Sequence, residues 1–259
     1  MNNFFLNLKL YLKRCINDTF ALLILLAIPI GMIAFNSVIG DMDMYNGYNI
    51  NASVVSPMML VGFQFFNSAY IIEFLYKDFR GPMRWRLGAA PCTLRSFIVP
   101  AFFANWLFSM VFGVITIIVS AIAFNAYWGN LFIVAAVLIL VSLMSTVIGM
   151  LLFLFTKKMS VANGLVYAIS FGLMLASGML FIPLGNGAIA TFLMTYGTPL
   201  SLGSRAIIFS GSMPGLFEAA GSSFTPDMNQ SLMNLGILAA ATLVLGAISL
   251  IAAKRRQTL

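Results

Sequence analysis

Apolar and polar residues alternate with a helical period over the first part of the chain. Phe5, Leu8, Leu12 and Ile16 recur at spacings of three or four residues, whereas polar residues occupy another face and lysines flank it. Such a pattern predicts an amphipathic helix. We expect the segment 1–17 to lie in the membrane interface instead of crossing the bilayer.

Six longer apolar stretches follow this segment. Each has about 20 mostly uncharged residues, which is enough for a helix to cross roughly 30 Å of hydrocarbon. We predict an all-α membrane protein that forms a single transmembrane domain over residues 1–259, with six transmembrane helices. Their predicted bounds are 20–38, 54–75, 97–124, 131–155, 161–182 and 232–253.

The composition excludes an ordinary soluble domain. The 259 residues are 61% hydrophobic and 8% charged, whereas soluble domains are about 45–50% apolar and about 25% charged. The two cysteines, Cys15 and Cys92, lack the spacing of a metal or redox site, and the chain contains no histidine. We interpret both as buried or interfacial thiols.

The charged residues predict the orientation of the helices. In the six-helix arrangement, all of the 14 basic residues except Arg205 fall on the same side of the membrane. Short loops rich in lysine and arginine stay in the cytoplasm, so the distribution predicts cytoplasmic N- and C-termini. It also accounts for the net charge of +7 without a nucleic-acid partner.

The outer side carries one long connection, from residue 183 to 230. Within it, residues 188–196 and 200–209 are apolar but too short to cross a bilayer. We predict that they form re-entrant or interfacial helices that cap the outer end of the transport pathway. Phe192 and Tyr196 are the candidate pathway residues at this end.

Few ionisable residues lie inside the predicted spans, which disfavours an enzyme or a proton-coupled transporter. Glu73 is the only acidic residue within a span, four residues before Lys77. It can form a helix-surface ion pair with Lys77 or serve in a proton relay. The chain lacks a Gly-rich phosphate loop, so ATP that drives active transport would have to bind another subunit.

Residues of the second predicted span are candidates for contact with a substrate. Gln64 and Asn67 lie beside the aromatic residues Phe63, Phe66 and Tyr70, and such a set can face an amphipathic ligand. The alternative is that the polar side chains hold helices together while the aromatic residues pack or face lipid. The sequence leaves both alternatives open.

The cytoplasmic stretch from residue 77 to 91 is the most specific feature of the sequence. Pro82 would begin a short helix and Pro91 would end it. This helix would combine basic and apolar side chains, namely Met83, Arg84, Trp85, Arg86 and Leu87. Such a helix can dock a partner protein or anchor the loop to anionic lipid.

Over its full length the chain resembles the permease subunits of the type 2 ABC exporter family. The resemblance rests on the interfacial helix, the six spans, the stretch 77–91, and the outer residues 177–183 (Ser-Gly-Met-Leu-Phe-Ile-Pro) and 198–200 (Thr-Pro-Leu). The chain departs from the family at Gly81-Pro82 and Arg84, where the family usually has Gly-Thr followed by an acidic residue.

The resemblance implies a transport subunit with no enzymatic activity and no cofactor of its own. Two copies of a separate ATPase would hold ATP and magnesium. A second permease, the same chain or a different one, would complete the complex among the membrane lipids. The residues that match the family's ATPase-coupling loop are Arg80, Gly81, Met83, Arg84, Trp85, Arg86 and Leu87.

The resemblance also implies a location and a cargo. We expect a bacterial cytoplasmic (inner) membrane and export of an amphipathic or lipophilic compound such as an antibiotic, a lipopeptide or a toxic peptide, hence a role in multidrug or antibiotic resistance. Two alternatives stay open. One is export of a lipid-linked glycan, and the other is a membrane immunity or assembly protein that binds a partner without transporting anything.

Overall fold

Helices make up nearly all of the protein that the structure describes. A computed structural model describes residues 2–18, 22–39, 44–45, 47–81, 95–179, 187–211 and 227–256. Its α-helices are α1 (Asn2–Ile16), α2 (Ile28–Ile39), α3 (Ile50–Gln64), α4 (Ser68–Phe79), α5 (Arg95–Ala123), α6 (Leu131–Phe155), α7 (Met159–Ala176), α8 (Ala188–Phe192), α9 (Pro199–Phe209) and α10 (Met228–Arg256).

Shorter elements join some of these helices. A π-helical turn, Leu23–Ala27, precedes α2, and a second, Leu193–Gly197, follows α8. The 3₁₀ turn Phe65–Asn67 connects α3 to α4, so the two helices form one long segment. A short antiparallel hairpin of β1 (Met44–Tyr45) and β2 (Tyr48–Asn49) precedes α3.

Five of the described helical segments are long and apolar enough to cross a membrane. They are Ile50–Phe79, Phe97–Ala123, Leu131–Phe155, Met159–Ala176 and Met228–Lys254. Two further apolar segments, Leu23–Val38 and Ala188–Gly197, are shorter. The chain is therefore an all-α protein, and its long apolar helices indicate a membrane protein.

Five of the six predicted spans correspond to the long helices and differ from them mainly at their ends, whereas the predicted span 20–38 corresponds to the shorter segment Leu23–Val38. The predicted span 131–155 and α6 have the same bounds, whereas the predicted span 161–182 extends beyond α7. α7 ends early because Gly178 adopts a φ of +73°. The Met179 amide then donates to the Met174 carbonyl at 3.0 Å and closes the helix. The start of the predicted span 20–38 lies outside the described residues.

The segment Ile50–Phe79 forms the centre of the bundle. Its most apolar stretch is 89% buried inside the protein, whereas that of Met228–Lys254 is 17% buried. α2, α5, α6, α7 and α9 all pack against it. A helix that is enclosed in this way buries side chains on every face, and Phe65, Ile71 and Ile72 are almost completely buried.

Small residues allow α4 and α6 to approach closely. Gly149 of α6 faces α4, and a Cβ atom at this position would lie 2.5 Å from the carbonyl oxygen of Ser68 and would also meet Ile71. One turn earlier in α6, the Ser145 hydroxyl donates to the Phe65 carbonyl at 3.3 Å. Small and hydroxyl-bearing residues commonly form such contacts between membrane helices.

The two ends of the bundle differ in charge. At the first end, Arg14 joins α1 to α4 and Arg80 joins α4 to α6. At the second end, the backbone amide of Asn49 donates to the backbone carbonyl of Asn125 at 3.1 Å, beside the end of α5. Apart from Arg205, the described basic residues belong to α1 or to helix termini at the first end.

Candidate functional site

The predicted ATPase-coupling residues are only partly included in the described chain. Arg80 follows the last turn of α4, and Gly81 follows Arg80. The rest of the predicted coupling helix lies outside the described residues, namely Met83, Arg84, Trp85, Arg86 and Leu87. The structure therefore describes the base of this loop, and the docking helix stays a prediction.

Arg80 is bound to the C-terminal end of α6. Its Nη2 atom donates to the Phe153 carbonyl at 3.2 Å, and its Nη1 atom donates to the Thr156 carbonyl. Carbonyls at a helix C-terminus lack partners within the helix and carry partial negative charge, so a guanidinium stabilises them. The loop that starts at Gly81 is thereby tied to α6 as well as to α4.

Two aromatic rings hold the Arg80 side chain in place. The guanidinium carbon lies 4.6 Å from the ring centroid of Tyr76 and 4.9 Å from that of Phe153, which are cation–π contacts. Nη1 also donates to the Tyr76 hydroxyl at 3.0 Å, and this hydroxyl donates to the Thr156 carbonyl at 2.8 Å. The Arg80 side chain thus links the C-terminal end of α4 to the C-terminal end of α6.

A second ionic contact joins α1 to α4. Asp78 is buried, and its carboxylate accepts hydrogen bonds from the Tyr11 hydroxyl at 2.6 Å and from Arg14 Nη1 at 2.9 and 3.0 Å. Burial, and then the hydrogen bond to Asp78, raise the pKa of Tyr11, so its hydroxyl remains a donor even near pH 10, where an ordinary tyrosine is half ionised. α1 is therefore fastened to α4 two residues before Arg80.

Cys15 lies in the same packing between α1 and α4, in one cluster with Tyr11 and Phe74. Burial raises the pKa of the Cys15 thiol to about 12. Since the thiolate is the reactive form, this cysteine is inert near neutral pH. The interpretation of Cys15 as a buried thiol is confirmed, and Cys92 lies outside the described residues.

Gln64 and Asn67, two of the predicted pathway residues, face α5. The Gln64 side-chain nitrogen donates to the Ser109 carbonyl at 3.1 Å, and the Ser109 hydroxyl donates to the Gln64 side-chain oxygen. Asn67 Nδ2 donates to the Asn105 carbonyl at 3.4 Å. Contacts of this kind hold membrane helices together. Among the described residues, the side-chain oxygens of Asn67 and Asn105 have no hydrogen-bond partner.

The predicted aromatic pathway residues extend toward α7 instead. The rings of Phe63 and Phe66 have centroids 5.5 Å apart, and Phe66 meets Phe171 of α7 edge-to-face at 5.0 Å. Tyr70 is buried in a different hydrophobic cluster, which also contains Phe74. Phe63 and Phe66 are also buried, whereas Phe171 is 50% exposed. The predicted pathway residues of this segment thus divide between two faces and do not line a single surface.

Phe192 and Tyr196, which were predicted to lie on the outer side, belong to α8 and to the turn after it. Phe192 is exposed, and Tyr196 packs against the core cluster that contains Phe63 and Phe66. α9 begins next to this turn, where the Thr198 hydroxyl caps the helix by accepting from the Ser201 amide at 3.1 Å. Tyr196 therefore connects the turn after α8 with the aromatic core.

Among the residues that build the helix contacts at the first end and that sequence reasoning missed are Tyr11, Tyr76, Asp78 and Thr156. Asp78 gave one usable signal, because it is an acidic residue within a basic stretch and such residues often pair. The other three carry no distinguishing pattern in the sequence. They become recognisable only when the fold brings α1, α4 and α6 together.

The described residues contain no group of three or more His, Cys, Asp or Glu side chains that could hold a metal ion. At the first end, the described residues form polar and ionic contacts between helices. Along α3 and α4 they form a polar face and an aromatic face. No protein-family model matches this sequence, and no curated protein matches it.

Proposed function

We propose that the chain is the permease subunit of an ATP-driven exporter in a bacterial cytoplasmic membrane. The observation that carries this proposal is the contact of Arg80 with α6. The loop that resembles an ATPase-coupling loop begins at Gly81, directly after a residue that is bound to two helices. Force applied to this loop by an ATPase would reach α4 and α6 together, as a transport subunit without its own ATPase requires.

The number of Arg80 contacts supports this role. Arg80 donates to the Phe153 and Thr156 carbonyls and to the Tyr76 hydroxyl, and its guanidinium lies over the rings of Tyr76 and Phe153. Because Arg80 is exposed to solvent, each contact is worth at most about 1 kcal/mol, but together they link α4 to α6. In this proposal, the residues from Met83 to Leu87 dock the ATPase and Arg80 passes the movement to the spans.

The proposed topology has six transmembrane helices and cytoplasmic termini. Five helices are long enough, and the sixth would be the apolar segment Leu23–Val38. At about 1.5 Å per residue this segment covers about 24 Å of the roughly 30 Å of hydrocarbon in a bilayer. The basic residues at the first end support a cytoplasmic position for that end.

We assign one exposed face of α7 to the second permease. The most apolar stretch of α7 is only 22% buried, and open space surrounds Gly164 and Gly172. Glycines on a membrane helix allow another helix to approach closely. The partner is either a second copy of this chain or a different permease.

The proposed cargo is an amphipathic or lipophilic compound. The aromatic row from Phe63 and Phe66 to the half-exposed Phe171 supports this class, because it leads from the core to a surface that lipid or a partner would cover. Aromatic and apolar side chains with a few polar groups are typical of sites for such compounds. The outer helices, with Phe192 and Tyr196, would cap the pathway.

Purification of the tagged chain from its own membranes tests the proposal. An ATPase with a Gly-rich phosphate loop should co-purify, in two copies with two permeases, and mass spectrometry of the intact complex measures this. Arg80→Ala should retain the ATPase and hydrolyse ATP but transport less per ATP. Lys158→Ala, which removes an exposed cation at the same end, is the matched control and should behave like the unmodified protein.

The same experiment distinguishes the alternatives. If no ATPase co-purifies and protection against a toxic compound persists, the chain is a passive immunity or assembly protein. If the ATPase is present but lipid-linked glycans, and not amphipathic drugs, stimulate it, the cargo is a glycan. A complex in which Arg80→Ala and Lys158→Ala transport equally well would contradict the coupling role of Arg80.

A further inference from the structure

One face of α1 packs against the rest of the bundle. Leu8 and Leu12 belong to the hydrophobic packing around Tyr11, which also includes side chains of α4 and α5. Nearer the start of the helix, the ring of Phe4 meets the ring of Phe103 in α5 edge-to-face, with centroids 6.1 Å apart. Two apolar positions of the predicted amphipathic pattern, Leu8 and Leu12, are therefore used for contact with protein.

A second face of α1 is also apolar, and it is exposed. Phe5, Leu6 and Leu10 are 68%, 59% and 53% exposed. Lys9 and Lys13 are exposed as well and lie on the same side, because residues three or four positions apart are neighbours on a helix. We call these five residues the outward face of α1. Exposed patches of large apolar side chains mark contacts with lipid or protein.

The lysines of the outward face take part in none of the ion pairs within the described chain. Arg14, the third basic residue of α1, pairs with the buried Asp78. In α4, Lys77 pairs with Glu73. Because both carboxylates are already engaged, the outward face combines its apolar surface with two positive charges that neither of these carboxylates neutralises.

The position of α1 favours lipid as the partner of its outward face. Phe103, which contacts α1, is itself 38% exposed, and Val99 and Leu107 on the same side of α5 are 42% and 36% exposed. α5 is long and apolar enough to cross a membrane, and the exposed surface of such a helix meets lipid. Asp78 holds α1 beside the end of α4, where the charged residues of the first end lie. The outward face therefore lies at the level of the lipid headgroups.

We propose that the outward face of α1 binds anionic phospholipid. Phe5, Leu6 and Leu10 enter the boundary of the acyl chains, as the apolar side of an interfacial helix does. The methylene stems of Lys9 and Lys13 cover apolar surface while their ammonium groups reach the lipid phosphates. A lipid with a net negative charge is preferred over a zwitterionic lipid, because it attracts basic side chains without a positive group that opposes them. This site does not rest on the proposed function as an exporter.

Fluorescence quenching by brominated lipid tests the proposal at α1 itself. The full chain with Cys92→Ser and Leu6→Cys carries a small uncharged fluorophore at position 6, because the buried, protonated Cys15 stays unlabelled. It is placed without any ATPase in nanodiscs of neutral lipid. Phosphatidylglycerol or phosphatidylcholine with identical brominated acyl chains is then added at the same low mole fraction. Phosphatidylglycerol should be preferred at this position by at least about fivefold, the contribution of one basic residue near an anionic surface.

Charge variants separate the outward face from the other basic residues. Lys9→Gln together with Lys13→Gln should remove the preference, whereas Lys9→Arg together with Lys13→Arg keeps both charges and should retain it. Lys157→Gln together with Lys158→Gln is the matched control, because it removes two exposed charges from the connection between α6 and α7 at the same end. This control should leave the preference unchanged. In every variant, quenching by phosphatidylcholine shows that the fluorophore still meets lipid, so a loss of fold is recognised separately.

Several results would overturn the proposal. Equal quenching by the two lipids in the chain with all of its lysines would show that charge is not selected. A preference that persists without Lys9 and Lys13, or that falls equally in the control variant, would show a general effect of charge. Quenching by neither lipid would show that protein covers the outward face. Because the assay contains no ATPase, each of these results would leave the exporter assignment intact.

Discussion

Replacement of Gly149 with alanine adds one methyl group where α4 and α6 touch. The new Cβ would lie 2.5 Å from the Ser68 carbonyl oxygen and 3.1 Å from the Ser68 Cα, so backbone atoms would have to move. Overpacking costs about 1–3 kcal/mol, and the upper part of this range, about 2–3 kcal/mol, applies here because backbone atoms cannot rotate away. The helix preference of alanine over glycine returns about 1 kcal/mol. We expect Gly149→Ala to lower the free energy of unfolding by a net amount of about 1–2 kcal/mol.

Gly236→Ala is the matched control, because Gly236 lies in α10 with nothing near the position of a Cβ atom. The measurement is thermal unfolding in detergent, followed by tryptophan fluorescence. Since about 1 kcal/mol corresponds to roughly 2–4 °C for a chain of about this size, Gly149→Ala should lower Tm by about 2–8 °C. Gly236→Ala should leave Tm unchanged or raise it. Equal Tm values for the two variants would refute the close contact of α4 with α6.

Three further changes test other contacts. Asp78→Ala should loosen the contact of α1 with α4 and speed maleimide labelling of Cys15. In the unmodified protein this labelling should stay slow up to pH 9, because the Cys15 thiol has a pKa of about 12 and remains protonated. Equal labelling rates in the two proteins would contradict the role of Asp78 in holding α1 against α4. In a cysteine-free background, Ala123→Cys should react with an impermeant thiol reagent from outside the cell and Lys157→Cys only after the membrane is opened, whereas the reverse pattern would contradict the orientation. Gln64→Leu should cost about 1–3 kcal/mol of stability through its lost hydrogen bonds. An unchanged Tm together with lost transport would instead assign Gln64 to the pathway.

The ends of the helices were predictable where a local signal marks them. α6 begins after Asn130, whose side chain accepts from the Phe132 amide at 3.0 Å, and the apolar run of the sequence begins at the same point. The end of α7 was not predictable from hydropathy, because the apolar residues 180–182 continue the run beyond Gly178. A glycine with positive φ ends the helix there, and hydropathy carries no information about φ.

The central position of Ile50–Phe79 was also not predictable from hydropathy. Its mean hydropathy is 1.4 and that of Met159–Ala176 is 1.6, yet their most apolar stretches are 89% and 22% buried. Lipid is as apolar as a protein core, so hydropathy does not separate a central helix from a peripheral one in a membrane. Packing decides, through close contacts such as that of Gly149.

The candidate site followed from the sequence only in part. Arg80 was identified from its loop, but its partners Phe153 and Thr156 are distant in the sequence and have no pattern that marks them. Gln64 and Asn67 were identified as polar residues in an apolar span, and the structure engages both in contacts with α5. Hydrophobicity patterns locate such residues, whereas their partners depend on the tertiary fold.

Transport by the purified complex in proteoliposomes tests the central claim most directly. The chain and the ATPase that co-purifies with it are reconstituted, ATP is added on the side of the ATPase, and movement of a labelled amphipathic compound into the vesicles is measured. The compound should accumulate only with hydrolysable ATP and only when both subunits are present. Equal accumulation with a non-hydrolysable ATP analogue, or in vesicles that lack this chain, would contradict its assignment as the permease of an ATP-driven exporter.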